Sequence, residues 1–296
     1  MITFSNVKKS YGEKLVLQDI NWDLKQGTCY GLVGANGSGK STLLRLLSGV
    51  IEPDAGLVEI DGMDVFDNPN AKKKIFFLGD EPYFFNQSTI KDMKQFYQLF
   101  YPNFDNDLYL ELLNDFNLNE KVKINSFSKG MKRQVVLILA LACKPDILLL
   151  DEAFDGLDPI MRFKLRQYIS QIISDNNAII IISSHNLREL EDICDNIALI
   201  NNNVLQLDYA TIDSDNIYHK YQVVFEKEFD MDKFKPLNPL NVQGKERIFT
   251  IVLKGNKEAL DEQLNKLNPM IIQHSNVSLE EIFIYEVERS KHEKTI

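Results

Sequence analysis

Nine residues constrain this chain more than any others: Gly34-Ala-Asn-Gly-Ser-Gly-Lys-Ser-Thr42, a match to G-x-x-x-x-G-K-[ST]. The pattern carries its meaning only between a strand and a helix, and both flanks fit. Gly31-Leu-Val-Gly34 reads as the end of a buried strand, and Ser41 to Leu47 as a helix with leucines at 43, 44, 46 and 47. Gly34, Gly37 and Gly39 let backbone N–H groups turn inward around phosphate oxygens, and the helix beginning near Lys40 adds the positive end of its dipole. In such a loop Lys40 reaches the β- and γ-phosphates and Ser41 places its hydroxyl on Mg²⁺. A glycine-rich turn that binds nothing would need neither Lys nor Ser at those positions.

A second element completes the site. Ile147-Leu-Leu-Leu-Asp151-Glu152 reads as a buried strand ending in two carboxylates. Asp151, at the strand tip, is placed to hold Mg²⁺ through water, as in other P-loop enzymes. Glu152, one residue on, faces the γ-phosphate and is placed to polarise an attacking water. Ile179 to Ile182 is a further continuous apolar run, consistent with a parallel strand covered on both faces, and Pro159 to Ser174 has helical spacing. The stretch from about 89 to 144 is almost free of strand signals and reads as three or four helices set into the sheet domain.

With 296 residues, about two domains are expected at roughly 150 residues each. The first reads as an α/β domain over 1–207 and 208–220 as a polar linker. Residues 221–296 then read as a small α+β domain, with strands at Tyr221 to Glu226 and Arg247 to Lys254. Its helices are expected at Asn256 to Leu267 and at Ser278 to Val287, with Ser278 as N-cap and Glu281 three residues on. The excess of 43 Asp+Glu over 33 Lys+Arg argues against a nucleic-acid partner, which needs a basic face. Three cysteines are too few and scattered for a disulfide framework or zinc site. The longest apolar run, Val135 to Cys143, is far short of the roughly 20 residues that span a bilayer. No apolar core follows a basic start at the N-terminus, so no signal peptide is expected.

Taken in order, these segments resemble the nucleotide-binding subunit of an ABC transporter over residues 1 to about 205. Phe127-Ser-Lys-Gly-Met131, followed by a helix, resembles the signature that usually reads Leu-Ser-Gly-Gly-Gln; Ser128 and Gly130 are kept, Lys129 and Met131 depart. Gly156-Leu-Asp158 resembles the loop that crosses to the partner subunit. Ile181-Ile-Ser-Ser-His185 resembles the switch strand, with His185 reaching the γ-phosphate and orienting Glu152. Tyr11, before Gly12, resembles the aromatic that stacks on adenine. Phe77-Leu-Gly-Asp80-Glu81-Pro82 stands where the family has a Gln touching Mg²⁺ and the membrane subunit; Asp80 replaces it, and a carboxylate can still ligate the metal. Ala153 replaces a frequent Pro, a change of loop stiffness more than of chemistry.

The resemblance implies an α/β P-loop NTPase of the ABC ATPase type: a mixed sheet core, an inserted helical subdomain, and here a small C-terminal α+β domain. It implies ATP and Mg²⁺ as cofactors, catalysis by Glu152 and His185, and metal binding by Ser41, Asp151 and Asp80. Nucleotide contacts fall to Tyr11, Asn36, Gly37, Gly39, Lys40, Ser41, Thr42, Ser128 and Gly130. Partners would be a second ATPase subunit, contributing Ser128 across the interface, and an integral membrane permease that holds the chain at the inner face of the cell membrane. Tyr101-Pro-Asn-Phe104, the Ser-Lys-Gly-Met form and Asp151-Glu-Ala-Phe-Asp-Gly-Leu-Asp158 look most like single-cassette bacterial exporters of peptides or antibiotics. The alternatives are a soluble ATPase of the same type without a membrane partner, and an ordinary P-loop kinase, which would leave Ser128, Gly130 and His185 unexplained.

Overall fold

The computed structural model describes residues 1–210, 217–278 and 280–285, and the side chains of all of these except 206–210. The chain divides into two units, Met1–Asp208 and Tyr209–Ile296.

The first unit is built on two sheets. Strands β1 (Ile2–Tyr11) and β2 (Lys14–Leu24) form an antiparallel hairpin and join β4 (Ala55–Ile60) and β5 (Met63–Asp64) in the order β2-β1-β4-β5. The second sheet contains β3 (Thr28–Val33), β6 (Ile75–Leu78), β7 (Ile147–Asp151), β8 (Ile179–Ser184), β9 (Asn196–Asn201) and β10 (Val204–Ala210), ordered β10-β9-β3-β8-β7-β6. From β9 to β6 the pairing is parallel. Every residue of β7 and β8 is buried, which is why both read as unbroken apolar runs instead of alternating ones. Their register sets Asp151 opposite Ser183, bringing a carboxylate and a hydroxyl together at the strand ends.

Helix α1 (Lys40–Leu47) packs into the core shared by the two sheets. Its Leu43, Leu44, Leu46 and Leu47 join Phe4, Ile20 and Trp22 on one side and Leu32 and Ile181 on the other. Each such side chain contributes roughly 1.5–3 kcal/mol on burial, so the start of α1, and the loop before it, are rigidly placed. A one-turn helix, α2 (Pro69–Lys72), precedes β6.

Residues 89–144 hold three α-helices, α3 (Ile90–Gln98), α4 (Asn106–Asp115) and α5 (Lys129–Ala142). Thr89 and Asp92 form a reciprocal capping box on α3, and Asp105 caps α4. In α6 (Pro159–Asn176), the Asp158 carboxylate accepts from the N–H groups of Ile160 and Met161, and Pro159 occupies the first turn where no donor is needed. The short α7 (Leu187–Glu191) follows β8.

The second unit is an antiparallel sheet of β12 (Asn241–Lys245), β13 (Ile248–Lys254), β11 (Tyr218–Val224) and β14 (Ile271–Asn276), in the order β12-β13-β11-β14. Leu260 and Leu264 of α8 (Lys257–Asn265) pack with Tyr221, Val223, Phe249 and Ile251 of the sheet. Residues 280–285 are helical, and Ser278 and Glu281 cap one another's backbone N–H at 3.2 Å; residues 279, 286 and 287 of the expected helix lie outside the described residues.

The expected linker, 208–220, differs from what is observed at both ends. Residues 208–210 belong to β10 and Tyr218–Lys220 open β11; residues 211–216 lie outside the described residues. Tyr218 and His219 look polar in sequence, yet both rings are almost fully buried. Strands β12 and β14 were not anticipated, because they lie at the sheet edges, where few apolar residues are required.

Candidate active site

The loop from Gly34 to Gly39 leaves β3 and enters α1. Gly37 and Gly39 have φ of +77° and +114°, in the region that side chains rarely adopt. A Cβ on Gly34 would lie 2.4 Å from Ser38 Oγ and 2.7 Å from the Ile200 carbonyl oxygen. Helix α1 begins without a side-chain cap and without an acid in its first turn, so neither a local acceptor nor a local charge satisfies its N-terminus. Ser38 Oγ is buried with no hydrogen-bond partner, an arrangement that costs about 1–3 kcal/mol unless an acceptor arrives. These features fit a phosphate group.

Lys40 is only 6% exposed, and its Nζ donates to the Gly34 carbonyl oxygen at 2.8 Å. The ammonium is thus folded over the loop. A cleft of about 380 Å³ opens there, lined by Tyr11, Lys14, Val16, Asn36, Gly37, Gly39, Lys40, Ser41, Thr42, Asp80 and Glu152. Tyr11, at the end of β1, is exposed and lines this cleft rather than the core.

The two carboxylates after β7 have different surroundings. Asp151 is buried, and its Oδ1 accepts from Ser183 Oγ at 2.6 Å; it is not on the cleft wall. Glu152 is on the wall. Its Oε1 lies 3.5 Å from Lys40 Nζ, and its Oε2 lies 2.9 Å from His185 Nδ1 and accepts from the His185 backbone N–H at 3.3 Å. An ionised carboxylate only accepts, so Nδ1 carries the proton toward Glu152. The Glu152 backbone has φ +50°, left-handed for a residue with a side chain. Its N–H donates to the Ser183 carbonyl oxygen and Oγ, both at 3.1 Å. Glu152, Asp155 and His185 also bring their ligand atoms within 4.8 Å of one another.

The hydrogen bond that Nδ1 donates to Glu152 holds the His185 imidazole above its ordinary value, against the opposing effects of partial burial and of Lys40. The imidazolium–carboxylate contact is therefore complete below pH 6.5 and fades as pH rises through the elevated value. Following the His185 ring resonances by NMR should give a titration midpoint above 6.5, falling toward 6.5 in Glu152→Ala. An unchanged midpoint in that variant would show that Glu152 is not the cause.

Ser128 and Gly130 stand at the start of α5 and do not line this cleft. Ser128 Oγ accepts from the Met131 N–H at 3.2 Å, capping its own helix. Gly130 is pressed against the turn before α6, where a Cβ would come within 2.9 Å of the Gly156 carbonyl oxygen. Asp80 lines the cleft, but its Oδ1 is engaged at 2.9 Å by Arg133 Nη2.

Lys14 and Val16 of the cleft wall, and Ser183 and Arg133 behind it, escaped the sequence reading. Ser183 could have been found as a hydroxyl ending an otherwise apolar strand. Arg133 could have been found by helical phase, since it stands one and two turns before Leu137 and Leu141 on the buried face of α5.

The family model described as ABC transporter matches residues 17–155. The ABC transporter ATP-binding protein YtrB of Bacillus subtilis (strain 168) is 29% identical over 287 residues, covering 96% of this chain and 97% of that protein. The similarity therefore takes in the second unit as well. The lantibiotic transport ATP-binding protein SrtF of Streptococcus pyogenes is 32% identical over 231 residues, covering 77% of this chain and 99% of that protein. A solved structure of the ATP-binding subunit of an ABC transporter matches with a TM-score of 0.66 at 25% identity, covering 72% of this chain and 90% of that one.

Proposed function

The chain belongs to the ABC transporter family, among its ATP-binding proteins, and from that premise we propose that it hydrolyses MgATP in the cleft around Lys40 to drive export of peptides or antibiotics. The position of the Glu152 carboxylate, between the buried Lys40 ammonium and the His185 imidazole, carries this reading. Lys40 would neutralise the β- and γ-phosphates while the N–H groups of residues 37–42 bind their oxygens. Glu152 would accept a proton-side hydrogen bond from the attacking water, and His185 would hold Glu152 in place and contact the γ-phosphate. Tyr11 offers a ring to the adenine.

A divalent cation held by Ser41 and, through water, by Asp151, with Asp80 as a further ligand from the cleft wall, would draw charge off the transferred phosphoryl group. The partner-less Ser38 hydroxyl and uncapped α1 are what support phosphate as the occupant.

Ser128 and Gly130 lie away from the cleft of their own chain, which supports a composite site: two subunits facing each other, each closing the other's nucleotide with the start of α5. Among the described residues no helix is long and apolar enough to cross a membrane. An integral membrane permease would supply the path, with this subunit attached at the inner face. The peptide or antibiotic cargo is drawn from SrtF, a lantibiotic transport protein.

The composite site has a kinetic signature. ATP hydrolysis by the purified chain should rise faster than linearly with protein concentration in the dilute range. A strictly linear dependence, from a chain shown by light scattering to be monomeric, would overturn the shared site.

A further inference from the structure

Arg133, on α5, is the largest fully buried side chain among the described residues, 1% exposed. Its guanidinium has four acceptors on three residues, drawn from two separate segments. Nη1 donates to the carbonyl oxygen of Glu152 and, at 3.2 Å, to that of Asp155. Nη2 donates to the carbonyl oxygen of Asp80 and, at 2.9 Å, to its Oδ1. A buried cation needs a partner charge, and Asp80, more than half exposed on the cleft wall, provides it.

The conformation of Glu152 gives this contact its importance. A left-handed backbone at a residue with a side chain costs about 1–3 kcal/mol and persists only where neighbours over-determine it. Here the N–H of Glu152 is held by Ser183 on one side, while on the other its carbonyl oxygen accepts from Arg133 and, at 3.2 Å, from the Asp155 N–H. Losing Arg133 would leave this carbonyl only the Asp155 N–H within its own turn, letting the backbone relax and swing the carboxylate away from Lys40 and His185. We propose that Arg133 is a positioning residue that holds Glu152 in this conformation and couples it to Asp80 across the cleft. A lysine would not serve: its single ammonium cannot present two parallel nitrogens to four oxygens on different segments.

This inference rests on Glu152 being the residue that polarises water. The test compares MgATP affinity, turnover and thermal unfolding in the full-length wild type, Arg133→Lys, Asp80→Asn and the double variant. In Arg133→Lys, turnover should fall roughly 10²-fold, the size expected for misplacing a reacting group by about 1 Å, while affinity stays within about threefold of wild type. Asp80→Asn should lower turnover less, and the double variant should be no worse than Arg133→Lys alone, because both act through one network. If Asp80 acts only on the metal, the two effects multiply instead, and the coupling is wrong.

Equal losses of affinity and turnover, or wild-type turnover in a folded Arg133→Lys, overturn the positioning role. Should Arg133→Lys fail to fold, Arg133→Gln, whose amide can still donate to the loop carbonyls, takes its place: the proposal requires reduced turnover at unchanged affinity, and wild-type turnover sinks it. Wild-type turnover that survives Glu152→Gln would overturn the reading of Glu152 itself, a result distinct from turnover that needs Glu152 but not Arg133.

Discussion

Glu152→Gln should bind ATP normally and lose hydrolysis by roughly 10²–10⁴-fold, the contribution typical of a positioned general base. The substitution keeps the side chain's size, and its amide oxygen can still accept from His185 Nδ1, now 2.9 Å from Oε2. What it removes is the negative charge that draws a proton from water. Because ATP then persists, the two-subunit state that ATP favours should accumulate, and size-exclusion chromatography with ATP should show a dimer where the wild type reverts to monomer. Hydrolysis at the wild-type rate would remove Glu152 from the mechanism.

Lys40→Ala should abolish binding in practice. The ammonium is buried against the loop, and the Gly34 carbonyl oxygen and the Glu152 carboxylate are its neighbours. Two charge-assisted contacts to phosphate at about 1.5–3 kcal/mol each correspond to roughly 10²–10⁴-fold in Kd. Lys14 also lines the cleft, but it is exposed at the start of β2 and its charge is screened by water and salt. Calorimetric titration with MgATP would measure the loss. A Kd within threefold of wild type would mean that the phosphates are bound elsewhere.

Much of the fold's organisation was legible because it is written in contiguous residues. The parallel strands β7 and β8 are buried on both faces, so they stand out as apolar runs of four or more residues. Helices α5 and α6 are announced by caps beside them, Ser128 and Asp158. Strands β12 and β14 have no such signal: an edge strand takes its place by pairing backbone with a neighbour, and side-chain pattern hardly enters. Tyr218 and His219 misled for a related reason, since an aromatic ring with a polar atom can be buried whole once that atom finds a partner. His219 does, with Nδ1 at 3.1 Å from His274 Nε2 and Nε2 at 3.2 Å from the Gly255 carbonyl oxygen.

The amino-acid sequence alone determined the glycine, lysine and hydroxyl pattern that a loop cradling an anion needs, because 34–42 holds it within one turn of chain. It also determined that two carboxylates end a buried strand. Only the tertiary structure decided how differently those carboxylates are used, Asp151 buried against Ser183 and Glu152 turned into the cleft. No glycine marks the left-handed bend that separates them, because the bend is held from outside by Ser183 of β8 and Arg133 of α5. Nor does any local pattern join Asp80 to Arg133, 53 positions apart. A contact between distant segments is set by how helix and sheet pack, and that packing is a property of the whole first unit rather than of any window of its sequence.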